Sequence, residues 1–373
     1  MATPKLRCVL LQVIDPHQSH LDPNIASKKM AELELLVETL GGEVIEKTFQ
    51  HRVTPHPSTY VGGGKVEWLK QVVEEKMIDV VVLGNVAKSS QLFRLEKMLW
   101  EINPKIQVWD RVDLILKIFD LHANTIEAKL QIQLARIQHI GPRIYGLGGT
   151  VLSKQGAGQG SKGSGETNIE FERRKIKKEK QHIQQQLEAL NINQLRQISE
   201  RKEQQTKTIA LVGYTSAGKT TLFNTLTGKE RQTNPSLFTT LDSVLGKVKL
   251  AEHQTSILVS DTIGFIDDLP PQLIEAFKTT LMITLKAQLL LHVIDAADPY
   301  FQSKFNVVEN ILTELGVETL PVLVFNKADL ITMEQRSNIE ALYADRTKIF
   351  ISAKTGMNIE ELKKLMLALH TLY

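Results

Sequence analysis

The sequence has almost no cysteine, no long apolar run and little net charge. Its single cysteine, Cys8, excludes an internal disulfide and a cysteine-based metal cluster, and fits a reducing, cytoplasmic setting. No stretch of about 18 or more apolar residues occurs, which excludes a transmembrane helix. The opening MATPKLRCVLLQVIDP lacks a long apolar core and a small-residue cleavage site, so it reads as a first strand and not as a secretion signal. The histidines, among them His253 and His292, show no paired metal spacing and read as packing or surface residues. A net charge of +3 over 373 residues says little about partners, and its distribution says more. The 42% hydrophobic and 23% charged fractions are those of a folded soluble chain, long enough for two or three domains.

Three segments follow from the pattern. Residues 1–120 alternate strand-like runs (CVLLQVI, IDVVVLGN) with helix-like ones, which predicts a small α/β subdomain. In NIASKKMAELELLVETLGG, Met30, Leu33, Leu36, Val37 and Leu40 fall at helical spacing before a Gly-Gly stop. Residues 121–205 predict a long helical hairpin. Ile126, Leu130, Leu134 and Ile137 share one face of its first helix, and Ile176, Ile183, Leu187 and Leu190 mark the second. Between them, residues 141–168 hold nine glycines in 28 positions, which predicts a mobile Gly-rich loop. Residues 206–373 return to buried strand patterns, TKTIALVG, TSILVSD, LLLHVID, PVLVFN and KIFIS, each followed by a turn and a helical run. That predicts a doubly wound, mostly parallel α/β sheet.

The chemistry concentrates in this last segment. Gly213, Tyr214, Thr215, Ser216, Ala217, Gly218, Lys219 and Thr220 spell the phosphate-loop pattern G-x-x-x-x-G-K-[ST], between a strand and the helix that Thr221 enters. The glycines let backbone N–H groups close around phosphates, Lys219 reaches the β- and γ-phosphates, and the Thr220 hydroxyl can bind Mg²⁺. Asn326, Lys327, Ala328 and Asp329 end another strand. A carboxylate there accepts both N1–H and N2–H₂ of guanine, a donor pair that adenine lacks. Ser352, Ala353 and Lys354 follow a further strand, where a backbone N–H can meet guanine O6. The ordered set reads as a guanine-nucleotide site for GTP or GDP with Mg²⁺.

Asp261, Thr262, Ile263 and Gly264 supply the Asp-x-x-Gly that senses metal and terminal phosphate. The next residue, a water-orienting Gln in Ras-like relatives, is Phe265. Phe238, Thr239, Thr240, Leu241 and Asp242 form the loop from which a Thr can close over the metal. Spacing alone does not choose between Thr239 and Thr240. YVGGGK, residues 60–65, lacks the earlier Gly and the final Ser/Thr of a phosphate loop, and reads as a tight turn into a helix.

These residues resemble the HflX-type GTPases, translational GTPases that associate with ribosomes. The resemblance runs through FTTLD, DTIGFIDDLPPQLIEAFKTTL, TYVGGGKVEWL, DRVDLILKIFDLHANTIEAKLQIQLARI and GSGETNIEFERR. It implies that Thr240 joins Thr220 as a metal ligand and acts with Lys219 in hydrolysis. It also implies binding to the large (50S) ribosomal subunit, separation of stalled or idle 70S ribosomes, and a weak GTPase activity stimulated by the ribosome. Two departures stand out: Lys162 replaces the Arg of many relatives before G-x-G-E-T, and the chain ends at KLMLALHTLY, where some relatives carry a further domain.

A reading from charge stands beside this. Six of the eight residues 173–180 are basic, and Arg143, Lys154 and Lys162 add charge to the loop, which together predict rRNA contact through residues 141–180. A cytoplasmic monomer, ribosome-associated or peripheral to a membrane, is the expectation. A GTP-dependent scaffold with incidental hydrolysis is the alternative that Phe265 favours.

Overall fold

The computed structural model describes residues 5–17, 24–151, 162–203, 208–229, 238, 244–249, 256–267, 273–274, 287–317 and 319–372. Two compact units emerge: Met1–Leu121 with Lys129–Gln186, and His122–Ala128 with Leu187–Tyr373.

The first unit holds a four-stranded parallel sheet in the order β2-β1-β3-β4, built from β1 (Arg7–Ile14), β2 (Glu43–His51), β3 (Val80–Leu83) and β4 (Gln107–Trp109). β1 and β3 are central and nearly all buried, which is why both read as continuous apolar runs. β2 lies at the edge and alternates exposed with half-buried positions, and its mixed polarity hides it from a search for buried runs. Helices α1 (Ile25–Thr39), α2 (Gly63–Lys76), α3 (Ser89–Leu99) and α4 (Arg111–His122) complete the α/β layers. In α1 the buried residues are Met30, Leu33, Leu36 and Val37, as the spacing predicts.

Two long helices follow, α5 (Ile126–Val151) and α6 (Lys162–Glu203). The Gly-rich loop expected across 141–168 is therefore helical at both ends, and residues 152–161 lie outside the described residues. A glycine costs a helix about 1 kcal/mol against alanine, which flanking turns offset because adding a residue to a formed helix is far easier than starting one. The buried stripe of α5 also differs from expectation. Leu134 is buried as expected, but Leu130 and Ile137 are only half-buried and Ile126 is 73% exposed, while Ala128, Gln131, Ile132, Ala135 and His139 are buried beside Leu134.

His139 is a polar member of that buried set. Its Nε2 stands 3.1 Å from Asp110 Oδ1 and 3.5 Å from Asp113 Oδ1, and all three side chains are buried. The two aspartates also cap α4 reciprocally: Asp113 N–H donates to Asp110 Oδ1 at 2.9 Å, and Asp110 N–H to Asp113 Oδ2 at 3.3 Å. A buried carboxylate pair needs such partners. The YVGGGK turn is likewise engaged with the sheet. Gly62 N–H donates to Gln50 Oε1 at 3.0 Å and Lys65 Nζ to Thr48 Oγ1 at 2.7 Å, both on β2.

The second unit is a six-stranded sheet in the order β10-β9-β8-β5-β7-β6. Its strands are β5 (Thr208–Val212), β6 (Val244–Lys249), β7 (Ser256–Asp261), β8 (Leu289–Asp295), β9 (Val322–Asn326) and β10 (Lys348–Phe350). All pairs are parallel except β6 with β7. Helices α7 (Lys219–Thr227), α8 (Phe301–Glu314), α9 (Met333–Leu342) and α10 (Ile359–Leu372) lie among them in sequence. β5 sits between β7 and β8, so connections leave it in opposite directions, and ligands of such sheets bind outside the carboxyl ends at that point. No helix among the described residues is long and apolar enough to cross a membrane.

Candidate functional site

The loop after β5 has the shape that a phosphate site requires. Ser216 (φ 61°) and Gly218 (φ 92°) take left-handed backbone conformations, and α7 begins directly after Gly218. A Cβ at Gly218 would lie 2.2 Å from Asn326 Nδ2, so the position excludes every side chain. The first N–H groups of α7 point out of its N-terminus, where an anion is favoured. Tyr214, Thr215 and Ala217 are buried, Ser216 is exposed, and Thr220 and Thr221 are half-buried. Lys219 is buried, and its Nζ donates to the carbonyls of Gly213 at 2.9 Å and Tyr214 at 2.8 Å. Burial pulls its ammonium down to about 8, and the Asp261 carboxylate pulls the other way.

Asp261 ends β7, the strand beside β5, and is fully buried. Thr220 Oγ1 donates to its Oδ2 at 2.9 Å, so the hydroxyl and carboxylate that the sequence assigns to a metal stand together. Thr262 Oγ1 anchors the next turn on the Leu211 carbonyl at 2.6 Å. The chain then crosses the phosphate loop. Phe265 N–H donates to the Gly213 carbonyl at 3.1 Å, and Thr215 N–H donates to the Phe265 carbonyl at 2.7 Å. The Phe265 side chain is 2% exposed. Gly264 is pressed against the loop, since a Cβ there would lie 2.8 Å from Thr215 Cγ2 and 3.2 Å from Lys219 Nζ.

Asn326 holds the base side of the site to the phosphate side. Its Nδ2 donates to the Ala217 carbonyl and its Oδ1 accepts from Ala353 N–H, both at 2.9 Å. The N–H of Ala353, one candidate for guanine O6, is therefore engaged with Asn326. Lys327 adopts a left-handed φ of 62° and pairs through Nζ with Asp295 Oδ2 at 2.6 Å. Ala328 N–H donates to the Ile351 carbonyl at 2.9 Å, which turns the exposed Asp329 outward. Ser352 is buried and Lys354 exposed. Thr225 Oγ1 donates to the Ala353 carbonyl at 2.8 Å.

Thr239, Thr240, Leu241 and Asp242 lie outside the described residues. Phe238, which precedes them, is buried with φ 59°. Sequence reasoning missed Asp295, although a carboxylate closing the apolar run LLLHVID was a usable signal. It also missed the bridging role of Asn326, for which no local signal exists. His292 is a packing residue as expected. It is 1% exposed, stacks on Phe305 at 5.1 Å, and has Nδ1 3.2 Å from Glu309 Oε1. His253 lies outside the described residues.

Strand order, loop conformation and the Asn326 tie place the second unit in one class of protein, the P-loop GTPases with a guanine-type base site. Family models match in three successive stretches: "GTP-binding GTPase N-terminal" over residues 27–120, "GTP-binding GTPase Middle Region" over 122–201 and "50S ribosome-binding GTPase" over 208–327. The GTPase HflX of Caldanaerobacter subterraneus subsp. tengcongensis is 37% identical over 363 residues, 97% of this chain and 80% of that one. The GTPase HflX of Escherichia coli K12 is 36% identical over 335 residues, 89% and 77% of the two chains. The chain belongs to the HflX GTPase family. The crystal structure of SsGBP with GDP aligns over 98% of this chain and 99% of that one, at a TM-score of 0.54 and 25% identity. A GTP-binding protein of Sulfolobus solfataricus, also solved with GDP, aligns over the same shares at a TM-score of 0.51 and 24% identity, a likeness of fold.

Proposed function

We propose that this GTPase binds the large (50S) ribosomal subunit and uses GTP to separate stalled or idle 70S ribosomes. The observation that carries this reading is the placement of Phe265. Its backbone is engaged with the phosphate loop and its apolar side chain is buried, so this position supplies no group to orient a water. Lys219 and the loop amides supply electrostatic stabilisation enough for a low basal rate, and completion of the site falls to a partner. The match of residues 208–327 to the 50S ribosome-binding GTPases supports the large subunit as that partner.

Mg²⁺ fits the site, because Thr220 and Asp261 offer hard oxygen donors in contact. Thr220 and Thr240 would hold the ion, Asp261 acting through water, and the ion would neutralise charge between the β- and γ-phosphates. Exposed cations at Arg173, Arg174, Lys175, Lys177 and Lys178 on α6 form a grip for rRNA phosphates. The protein would then reside in the cytoplasm with ribosomes.

Single-turnover hydrolysis with and without large subunits tests the reading. Stimulation of at least tenfold is expected, and unchanged turnover at saturating GTP would favour the scaffold alternative. Sedimentation with a non-hydrolysable GTP analogue should show binding that weakens steeply with salt, each phosphate contact adding about 0.7–0.9 to the log–log slope. A flat salt dependence removes the electrostatic part.

Lys219 adds a pH signature. Its folded value of about 8 lies below the ordinary 10.5, so between these values the unfolded chain holds more protons and stability rises with pH. A bound phosphate favours the charged form, so nucleotide binding takes up a proton above about pH 8. Calorimetry of GDP binding near pH 9 in buffers of different ionisation heat should detect that uptake, and near pH 7 should detect almost none. Equal proton counts at both pH values would contradict this account of Lys219.

A further inference from the structure

We propose that Tyr214 is a positioning residue, whose hydroxyl holds the segment after Asp261 ready to recognise the terminal phosphate of GTP. This rests on the GTPase reading and adds a determinant to it. Tyr214 is the second residue of the phosphate loop, and its side chain is 7% exposed. Its Oη accepts a hydrogen bond from Asp267 N–H at 2.8 Å. The ring face carries Lys304 Nζ at 5.1 Å from its centroid, and that ammonium also pairs with Asp298. The Tyr214 carbonyl accepts from Lys219 Nζ.

Taken together, consecutive loop residues fasten one short segment. The Gly213 carbonyl and Thr215 N–H hold both backbone groups of Phe265, and the Tyr214 hydroxyl holds Asp267 two residues on. Gly264 lies immediately before this tethered stretch, against Thr215 and the Lys219 ammonium. In GTPases generally the equivalent segment is ordered by the terminal phosphate and released on hydrolysis. Ordering a backbone segment costs conformational entropy, and ordering it in advance spares the ligand that cost. The tether acts on recognition of the terminal phosphate, which GDP lacks. It therefore raises the preference for GTP over GDP without touching either nucleotide.

Tyr214→Phe removes the hydroxyl and keeps the ring. A non-hydrolysable GTP analogue should bind five- to tenfold more weakly to this variant, and GDP within twofold of wild type. Hydrogen exchange at the Asp267 amide of the nucleotide-free protein should accelerate at least tenfold. Lys304→Met keeps the hydroxyl bond and should leave the GTP-to-GDP affinity ratio within twofold. Equal losses for both nucleotides in Tyr214→Phe would show a merely structural residue and overturn the proposal. An unchanged Asp267 exchange rate, or a Lys304→Met variant that loses the ratio equally, would also overturn it. A wild-type protein that binds neither nucleotide would defeat the GTPase reading instead, so the two failures are distinguishable.

Discussion

Phe265→Gln is expected to destabilise the protein by about 3 kcal/mol and to leave basal GTP hydrolysis within about twofold of wild type. The side chain it replaces is among the largest fully buried ones. Removing a buried phenyl ring forfeits its transfer energy and its contacts, and the incoming amide arrives where it has to find hydrogen-bond partners or lose about 1–3 kcal/mol. At roughly 2–4 °C per kcal/mol for a unit of this size, the thermal midpoint should fall by about 6–12 °C. The catalytic half of the prediction follows from the backbone. Phe265 N–H and C=O both bond the phosphate loop, which fixes where the side chain leaves the backbone. The present side chain is directed into the interior, and a glutamine following it is expected to gain no hold on a water at the phosphates. A tenfold rise in hydrolysis with stability intact would show the missing amide to be the whole deficit, and would sink this account.

The second large effect is on base choice. Asp329→Asn should weaken GDP and GTP binding by about two to three orders of magnitude and admit xanthosine nucleotides. A carboxylate accepts two hydrogen bonds from guanine, each of the charge-assisted kind worth about 1.5–3 kcal/mol. An asparagine amide turns a donor towards one of those positions, which suits the second carbonyl of xanthine. The turn that carries Asp329 is held by its neighbours: the left-handed Lys327, its ion pair with Asp295, and the Ala328 bond to Ile351. Titration of the variant with GDP and with its xanthosine counterpart reads the outcome. An unaltered preference for guanine would remove Asp329 from the base site.

Much of this architecture was legible in the residues. The glycines of the phosphate loop, the carboxylates closing apolar runs and the period of α1 are local signals, and the structure follows them. The elements that escaped are those whose pattern is weak. β4 is three residues long, β2 is an edge strand with mixed polarity, and β6 runs antiparallel to the strand that follows it. The expected face of α5 holds at Leu134 and fails at Ile126, which looks like a core residue by type, whereas the buried His139 finds polar partners in two aspartates that lie far away in the sequence. The helical ends of the Gly-rich stretch were missed because composition reports a residue's own preference and not what neighbouring turns propagate into it.

The sequence by itself determined the chemistry available. It set a phosphate-loop pattern after a strand, a carboxylate of the kind that suits guanine, a hydroxyl and an aspartate of the kind that suits a metal, and a phenylalanine where Ras-like relatives have a glutamine. These are matters of residue type at fixed spacing, and backbone geometry within a few residues decides them. Only the tertiary structure decided how those groups are used. Asn326 reaches across 109 residues to the Ala217 carbonyl and so joins base site to phosphate site. Tyr214 reaches across 53 residues to Asp267, and Phe265 turns from an apparent catalytic defect into part of a tether on the phosphate loop. Contacts of this range arise from which strands become neighbours in the sheet. That order is settled by burial of the whole core, and no short stretch of sequence states it.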